Sequence, residues 1–164
     1  MKDNERLTFI NNITDDLLDE LWDNCFSGDA NLKHMNAHVP YPVSQKVTLN
    51  HFLTNQNHYR VWLIKRRSEL DIIGFVIHGD FFPDHPNSVG LNIGLNYTKN
   101  GYAKETLQSL IEYLRAIGNY ETFGYCFENN LGSVRTMENC GFINLGKTDH
   151  RFNGNHTLKF QIQL

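Results

Sequence analysis

The sequence predicts an α/β (α+β) fold: a mixed central sheet of about seven strands with helices on both faces. Three observations predict it. Apolar residues alternate with period two over 88–96, then recur at helical spacing from Ala103 to Leu114. A helix-period pair precedes a strand-rich middle, and two strand–helix units follow. The 164 residues carry only four prolines, in two local pairs, with no linker, internal repeat or low-complexity tract, so a single domain over 1–164 is expected.

Arg6–Ile13 reads as the first strand, through Leu7, Phe9 and Ile10. Thr14 stands at the N-cap of a helix whose Leu17, Leu18, Leu21, Trp22 and Cys25 share a face, and Asp15 and Asp16 suit its first turn. Pro40 and Pro42 mark a loop over 27–44, after which Ser44 reads as the cap of a second helix carrying Val47, Phe52 and Leu53. Tyr59–Arg67 and Asp71–His78, rich in β-branched and aromatic residues, form a hairpin through Ser68-Glu69-Leu70. Pro83 and Pro86 mark a second loop, around 80–87.

Ser88–Asn96 is the alternating strand. Val89, Leu91, Ile93 and Leu95 lie on one side; Ser88, Gly90, Asn92, Gly94 and Asn96 lie on the other. Ala103, Leu107, Leu110, Ile111 and Leu114 then form a helical stripe, with Glu105 in the first turn and Gly118 near the end. Thr122–Phe127 is a strand, and Gly132–Asn139 a short helix closed by Cys140-Gly141-Phe142. The tail, Phe142–Leu164, reads as two strands about a turn at Asn153-Gly154-Asn155.

Composition excludes several classes of function. Fifteen Lys+Arg against 18 Asp+Glu leave a net charge of −3, which argues against a generic nucleic-acid binder. Apolar runs such as Ile72–Ile77 fall far short of the ~20 residues of a membrane span. MKDNERLTF has no apolar signal-peptide core, so the expected compartment is the cytoplasm. Cys25, Cys126 and Cys140 cannot all pair and none lies in a CxxC, so reduced thiols are expected.

Function is carried by Gly90–Leu107, where a strand runs through Tyr97-Thr98-Lys99-Asn100-Gly101-Tyr102-Ala103 straight into a helix. Small residues at Gly101 and Ala103 let a ligand approach the backbone. Unpaired N–H groups of the first helical turn suit a pyrophosphate, and Lys99 and Lys104 add charge. On its own the segment reads more readily as an ordinary turn, since such short glycine motifs have many false positives.

TKNGYA followed by an amphipathic helix resembles the acyl-CoA signature of the GNAT superfamily of N-acetyltransferases, Q/R-x-x-G-x-G/A. Downstream, Asn130-Leu131-Gly132-Ser133 and Glu138-Asn139-Cys140-Gly141-Phe142 resemble that family's N-x-x-S…E-x-x-G-F. The G-Y-A-x-E-x-L form at Gly101–Leu107 and the tail RFNGNHTLKFQIQL are similar to the Rim-type branch, which acetylates ribosomal-protein N-termini. The order of elements matches over nearly the whole chain.

The resemblance implies a mostly antiparallel sheet that splays between the strand at 88–96 and the strand at 122–127, with pantetheine in the gap. It implies acetyl-CoA as cosubstrate, with the pyrophosphate on backbone amides of Lys99, Asn100, Gly101, Tyr102, Ala103 and Lys104. Asn130 falls at the family position that contacts pantetheine, and Arg135 is a candidate for the ribose phosphate. A backbone N–H near Ile93 or Leu95 would polarise the thioester carbonyl. A neutral amine would attack acetyl-CoA directly, losing a proton while the thiolate gains one.

The sequence departs from the family pattern in three places. Thr98 stands where many members carry Gln or Arg. Ser88 stands where many have a Glu general base, and Met137 where other branches have a Tyr acid. The candidate catalytic residues are therefore Ser133, which also suits a helix N-terminus, with Glu128 and His85. Asp80, Asp84 and His78 are further nearby bases, in or beside a loop that reads more readily as a solvated hairpin loop. Proton transfer to solvent without a dedicated base is the alternative.

Other features carry bland readings. His34 and His38 are four apart but lack further ligands, so no metal is expected; with Met35, Tyr41 and Pro42 they fall where the family builds its acceptor wall. Cys126 and Cys140 read as small core residues rather than nucleophiles. Phe81, Phe82 and Trp62 read as packing, because no basic stripe accompanies them.

The expected partner is an amine acceptor, a protein N-terminus or a small molecule, with neither nucleic acid nor membrane. A homodimer is the default assembly. A catalytically silent CoA-binding domain, or an interaction module on the same fold, is the competing reading. With Lys99, Lys104 and Arg135 on the CoA side, the acceptor side is where an acidic wall is expected.

Overall fold

The computed structural model describes the backbone of residues 1–38, 45–81, 86–152 and 155–164, and the side chains of these except 34–38, 150–152 and 155. Seven strands form one open sheet in the order β1-β2-β3-β4-β5-β7-β6. They are β1 (Leu7–Ile10), β2 (Tyr59–Arg66), β3 (Ile72–Gly79), β4 (Ser88–Ile93), β5 (Glu121–Phe127), β6 (Ile143–Phe152) and β7 (Asn155–Gln163). Every neighbouring pair is antiparallel except β4–β5. The helices are α1 (Asp15–Cys25), α2 (Asp29–His38), α3 (Lys46–Thr54), α4 (Tyr102–Ala116) and α5 (Leu131–Asn139).

Helices cover both faces, as the sequence predicts. On one face Leu107, Leu110, Ile111 and Leu114 of α4 and Met137 of α5 pack on Trp62, Ile64, Val89, Phe160 and Ile162. On the other, Leu18, Leu21 and Cys25 of α1 and Leu49 and Leu53 of α3 pack on Val61, Leu63, Phe75 and Ile77. The two clusters make β2 and β3 near-continuously apolar, because neither face meets water.

Several boundaries differ from expectation. Thr14 holds the N-cap of α1 with extended backbone, but its side chain makes no capping hydrogen bond. Residues 29–38, expected as loop, form α2, and His34 and His38 stand four apart on its backbone; Met35 also falls in it, while Tyr41, Pro42 and Ser44 lie outside the described residues. The N-cap of α3 is Gln45 rather than Ser44.

The fourth strand stops at Ile93. Leu95–Tyr97 turns away as a short 3₁₀ segment, so Leu95 and Asn96 are not in the strand. The polar side of β4 is not a wet side: Ser88 is fully buried and Asn92 is buried too, because helices cover both faces. The tail forms β6 and β7 as expected, and the turn residues Asn153 and Gly154 lie outside the described residues.

One relationship positions the site. The parallel strands β4 and β5 pair only at Ser88↔Phe123 and Val89↔Gly124, then part. The chain leaves β4 toward α4 at the open end of that gap.

Candidate active site

The parted strands open into a cleft of about 690 Å³. Its walls come from β4 (Val89 to Ile93), from the loop and first turn of α4, and from Tyr125 and Cys126 of β5. Asn130, Gly132, Ser133, Thr136 and Met137 at the start of α5 close the remaining side.

The loop between β4 and α4 turns its backbone sharply before the helix. Lys99 adopts φ +64 and Gly101 φ +85, two left-handed residues within three positions. The Asn100 carboxamide donates to the Tyr97 and Thr98 carbonyls, at 3.2 and 3.0 Å. The Thr98 hydroxyl donates to Leu95 O at 2.9 Å, which is where the side chain standing in for the usual Gln or Arg goes. These contacts occupy the Leu95, Tyr97 and Thr98 carbonyls. Among the described residues, the backbone N–H groups of Lys99 to Lys104 find no protein acceptor. Helix macrodipole and unpaired N–H groups favour the same charge there.

The geometry brings most of the sequence-predicted residues together. Ile93, Leu95, Lys99, Gly101, Tyr102, Ala103 and Lys104 line the cleft, and so do Asn130 and Ser133 from the opposite side. Asn100 and Arg135 do not line it. Asn130 caps α5: its Oδ1 accepts the Ser133 N–H at 3.1 Å, so that position at the mouth of the cleft is filled by the asparagine rather than by Ser133. The backbone direction of β4 follows from Gly94, whose N–H bonds Ile73 O of β3. Alternation turns the Ile93 N–H to the opposite edge, into the gap. An N–H there can polarise a carbonyl lying between the strands.

The other proposed proton carriers are placed less favourably. Glu128 is ion-paired to Lys147 at 2.5 Å, which holds its carboxyl below the usual carboxylate range, and it does not line the cleft. His78 is half-buried on β3 with Nε2 3.2 Å from the Thr122 hydroxyl; desolvation pushes it down to about 4. Asp80 accepts the Asn87 N–H at 2.7 Å. Asp84 and His85 lie outside the described residues. Ser88 is buried at the base of β4, its hydroxyl on Pro86 O at 3.3 Å.

Among the described residues, the cleft lining contains no carboxylate and no imidazole. The side chains from His34 to Pro42, expected to wall the acceptor side, lie outside those described; beside Tyr125 stands a cation, Lys159, 4.3 Å over the Phe123 ring and 6.0 Å from that of Tyr125. Cys126 lines the cleft, but burial pushes its thiol up to about 12. Tyr125, Asn92 and Thr136 are cleft residues that sequence reasoning missed. Tyr125 and Asn92 carried only a strand signal, and nothing distinguished Thr136 from any other helix residue. No group of three or more metal-binding side chains occurs among the described residues.

An open sheet parted between two parallel strands, with an amide-presenting loop at the opening, is the architecture of an acyltransferase. Residues 6–143 match the acetyltransferase (GNAT) domain, and the chain belongs to that family, whose members are acetyl-CoA-dependent acyltransferases. Over 76 residues the chain is 29% identical to an uncharacterised N-acetyltransferase, YnaD, of Bacillus subtilis strain 168, a match covering 46% of this chain and 45% of that protein.

Solved structures share the whole fold. A GNAT-family acetyltransferase from Bacillus anthracis superposes with a TM-score of 0.80 at 17% identity, over 98% of this chain and 96% of the other. Spermidine N-acetyltransferase from Vibrio cholerae, in complex with CoA and spermine, gives 0.75 at 14% identity over 98% and 96%. An acetyltransferase from Salmonella typhimurium that modifies the N-terminal serine of ribosomal protein L7/L12 gives 0.76 at 15% identity over 98% and 96%. Among the described residues, no helix is long and apolar enough to cross a membrane.

Proposed function

We propose that residues 1–164 act as one acetyl-CoA-dependent N-acetyltransferase domain that acetylates a primary amine by direct attack in a ternary complex. The observation carrying this reading is the run of unpartnered amides from Lys99 to Lys104 at the mouth of the gap between β4 and β5. The diphosphate of acetyl-CoA rests on these amides, with Lys99 and Lys104 beside it. Pantetheine runs between the parted strands past Asn130, and the Ile93 N–H polarises the thioester carbonyl. Arg135, on the outer side of α5, is left for the ribose phosphate.

The Ser133 hydroxyl relays a proton to the departing thiolate, taking in its place, through water, the proton that the amine releases, so that CoA leaves as the thiol and Ser133 is regenerated. Since the described lining has no carboxylate or imidazole, the amine reaches the thioester already neutral or loses its proton through water. Glu128 and His85 remain as substitute bases, Glu128 hindered by its pairing to Lys147. The acceptor is a protein N-terminus or a small amine, since fold neighbours act on both. Lys159 beside Tyr125 weighs against a polycation.

The same missing base favours a second reading, a CoA-binding domain without turnover. Both are tested by melting the protein with millimolar acetyl-CoA and by following thiol release over a panel of amines and N-terminal peptides. Stabilisation with amine-dependent thiol release supports the enzyme. Stabilisation without release supports the silent domain. No stabilisation overturns both.

A further inference from the structure

We propose that Arg6 is a positioning residue for the diphosphate loop, holding the loop's backbone and cancelling the charge of Glu105 beside it. The inference rests on the reading of the cleft as an acyl-CoA site. Arg6 lies just before β1, 94 residues from the loop in sequence. Its guanidinium donates from both terminal nitrogens to the Asn100 carbonyl, at 3.3 and 3.2 Å, and to Glu105 Oε1 at 2.5 Å. It stacks 4.4 Å over the ring of Tyr102, which lines the cleft. The segment bearing it is itself tied down. Arg67 N–H donates to Arg6 O at 2.9 Å, and the Asn4 carboxamide donates to Ser109 Oγ of α4 at 3.3 Å.

The need for such a residue follows from Glu105. A carboxylate in the first turn of α4 suits the helix macrodipole, but it competes with any anion bound at the same helix end. It is also close: a Cβ on Gly101 would stand 3.7 Å from Glu105 Oε1, and the Gly101 amide is one of those offered to the ligand. Arg6 offsets that charge with a charge-assisted bond and takes the Asn100 carbonyl in the same fork. Asn100 and Arg6 together occupy three loop carbonyls, those of Tyr97, Thr98 and Asn100, so the loop presents N–H groups rather than C=O groups. As a half-exposed ion pair, Arg6–Glu105 adds little to fold stability, so its effect belongs to the ligand.

The test compares Arg6→Met, Arg6→Lys, Glu105→Gln and the Arg6→Met/Glu105→Gln double variant, each for CoA affinity by calorimetry and for melting temperature. Arg6→Met should weaken CoA roughly tenfold while melting near the wild type. Arg6→Lys, which keeps the charge without the fork, should fall between. The double variant should recover the part of the loss that comes from the uncancelled charge of Glu105, which a merely structural brace would not permit, while the part due to the lost fork on Asn100 O remains. Unchanged affinity in Arg6→Met, or no recovery in the double variant, overturns the assignment. A wild-type protein that does not bind CoA overturns the acetyl-CoA reading first, and is distinguishable from both.

Discussion

Met137 of α5 lies so close over Gly124 of β5 that a Cβ at 124 would meet its Cε at 2.5 Å and its Sδ at 2.8 Å. Gly124 faces Val89 in the last registered pair before β4 and β5 part, and Met137 lines the cleft beyond it. The thioether therefore rests at the root of the gap, on ground a larger residue would occupy. The clashing atoms are the end of a flexible chain, so Gly124→Ala should cost only about 1 kcal/mol of stability. It should nevertheless displace Met137 and weaken CoA binding several-fold. Met137→Ala in the same chain should restore affinity. Denaturant midpoints and calorimetry separate the two effects; wild-type CoA affinity in Gly124→Ala would remove Met137 from the site.

Gly101 is sensitive for a different reason. Its φ of +85 is a conformation L side chains rarely adopt, and it opens α4 at the centre of the amide run. Gly101→Glu adds both backbone strain and a negative charge where the diphosphate is proposed to lie. CoA-dependent stabilisation should vanish, while the free protein loses on the order of 1 kcal/mol. Retained CoA stabilisation in this variant would refute the assigned loop.

The sheet, the α4 stripe and the loop were legible because each rests on local pattern: period two in Val89–Ile93, helical spacing from Leu107 to Leu114, and a Gly just before a helix. The burial of Ser88 and Asn92 was not legible, since alternation marks them as a wet face and only the covering helices on both sides make them dry. The helix over 29–38 was hidden by weak amphipathicity and by the prolines that follow it. Residues that meet across the fold were the least visible. Nothing near Arg6 in sequence indicates Asn100, and nothing near Glu128 indicates Lys147. Proton carriers depend on such long-range pairings, whereas the amide cradle is built from consecutive residues.

His78 gives the fold a pH dependence with a definite sign. Burial pushes it down to about 4, against 6.5 in an unfolded chain. The Thr122 hydroxyl donates to Asn87 O at 2.7 Å, so the His78 Nε2, 3.2 Å away, carries the proton of that contact. Between pH 6.5 and 4 the unfolded chain binds a proton that the folded protein refuses. Stability contributed by the neutral ring is thus full above 6.5 and lost as pH falls to 4, by on the order of 3 kcal/mol in all. His78→Gln keeps a donor for Thr122 without titrating. Its melting temperature should fall less than that of the wild type over this window; parallel curves would show that His78 does not set the slope.

Ser133 and Cys126 both line the cleft, and only one of them is suited to the proposed chemistry. With its thiol pushed up to about 12 by burial, Cys126 disfavours the thiolate near neutral pH, which makes it a poor nucleophile for the acetyl group. Cys126→Ala should keep acetyl transfer within about twofold, and intact-mass measurement of wild type with acetyl-CoA alone should find no added acetyl. Ser133, the third residue past Asn130, lines the cleft, and the Asn130 side chain takes its N–H. As proton donor to the thiolate, it should contribute at least ~100-fold to kcat, so Ser133→Ala should lower kcat with little change in the KM for acetyl-CoA. The α5 cap does not use the hydroxyl, so the melting temperature should hold. An acetylated Cys126 would replace direct attack with a covalent route, and a Ser133→Ala enzyme with wild-type kcat would move protonation of the leaving group to solvent.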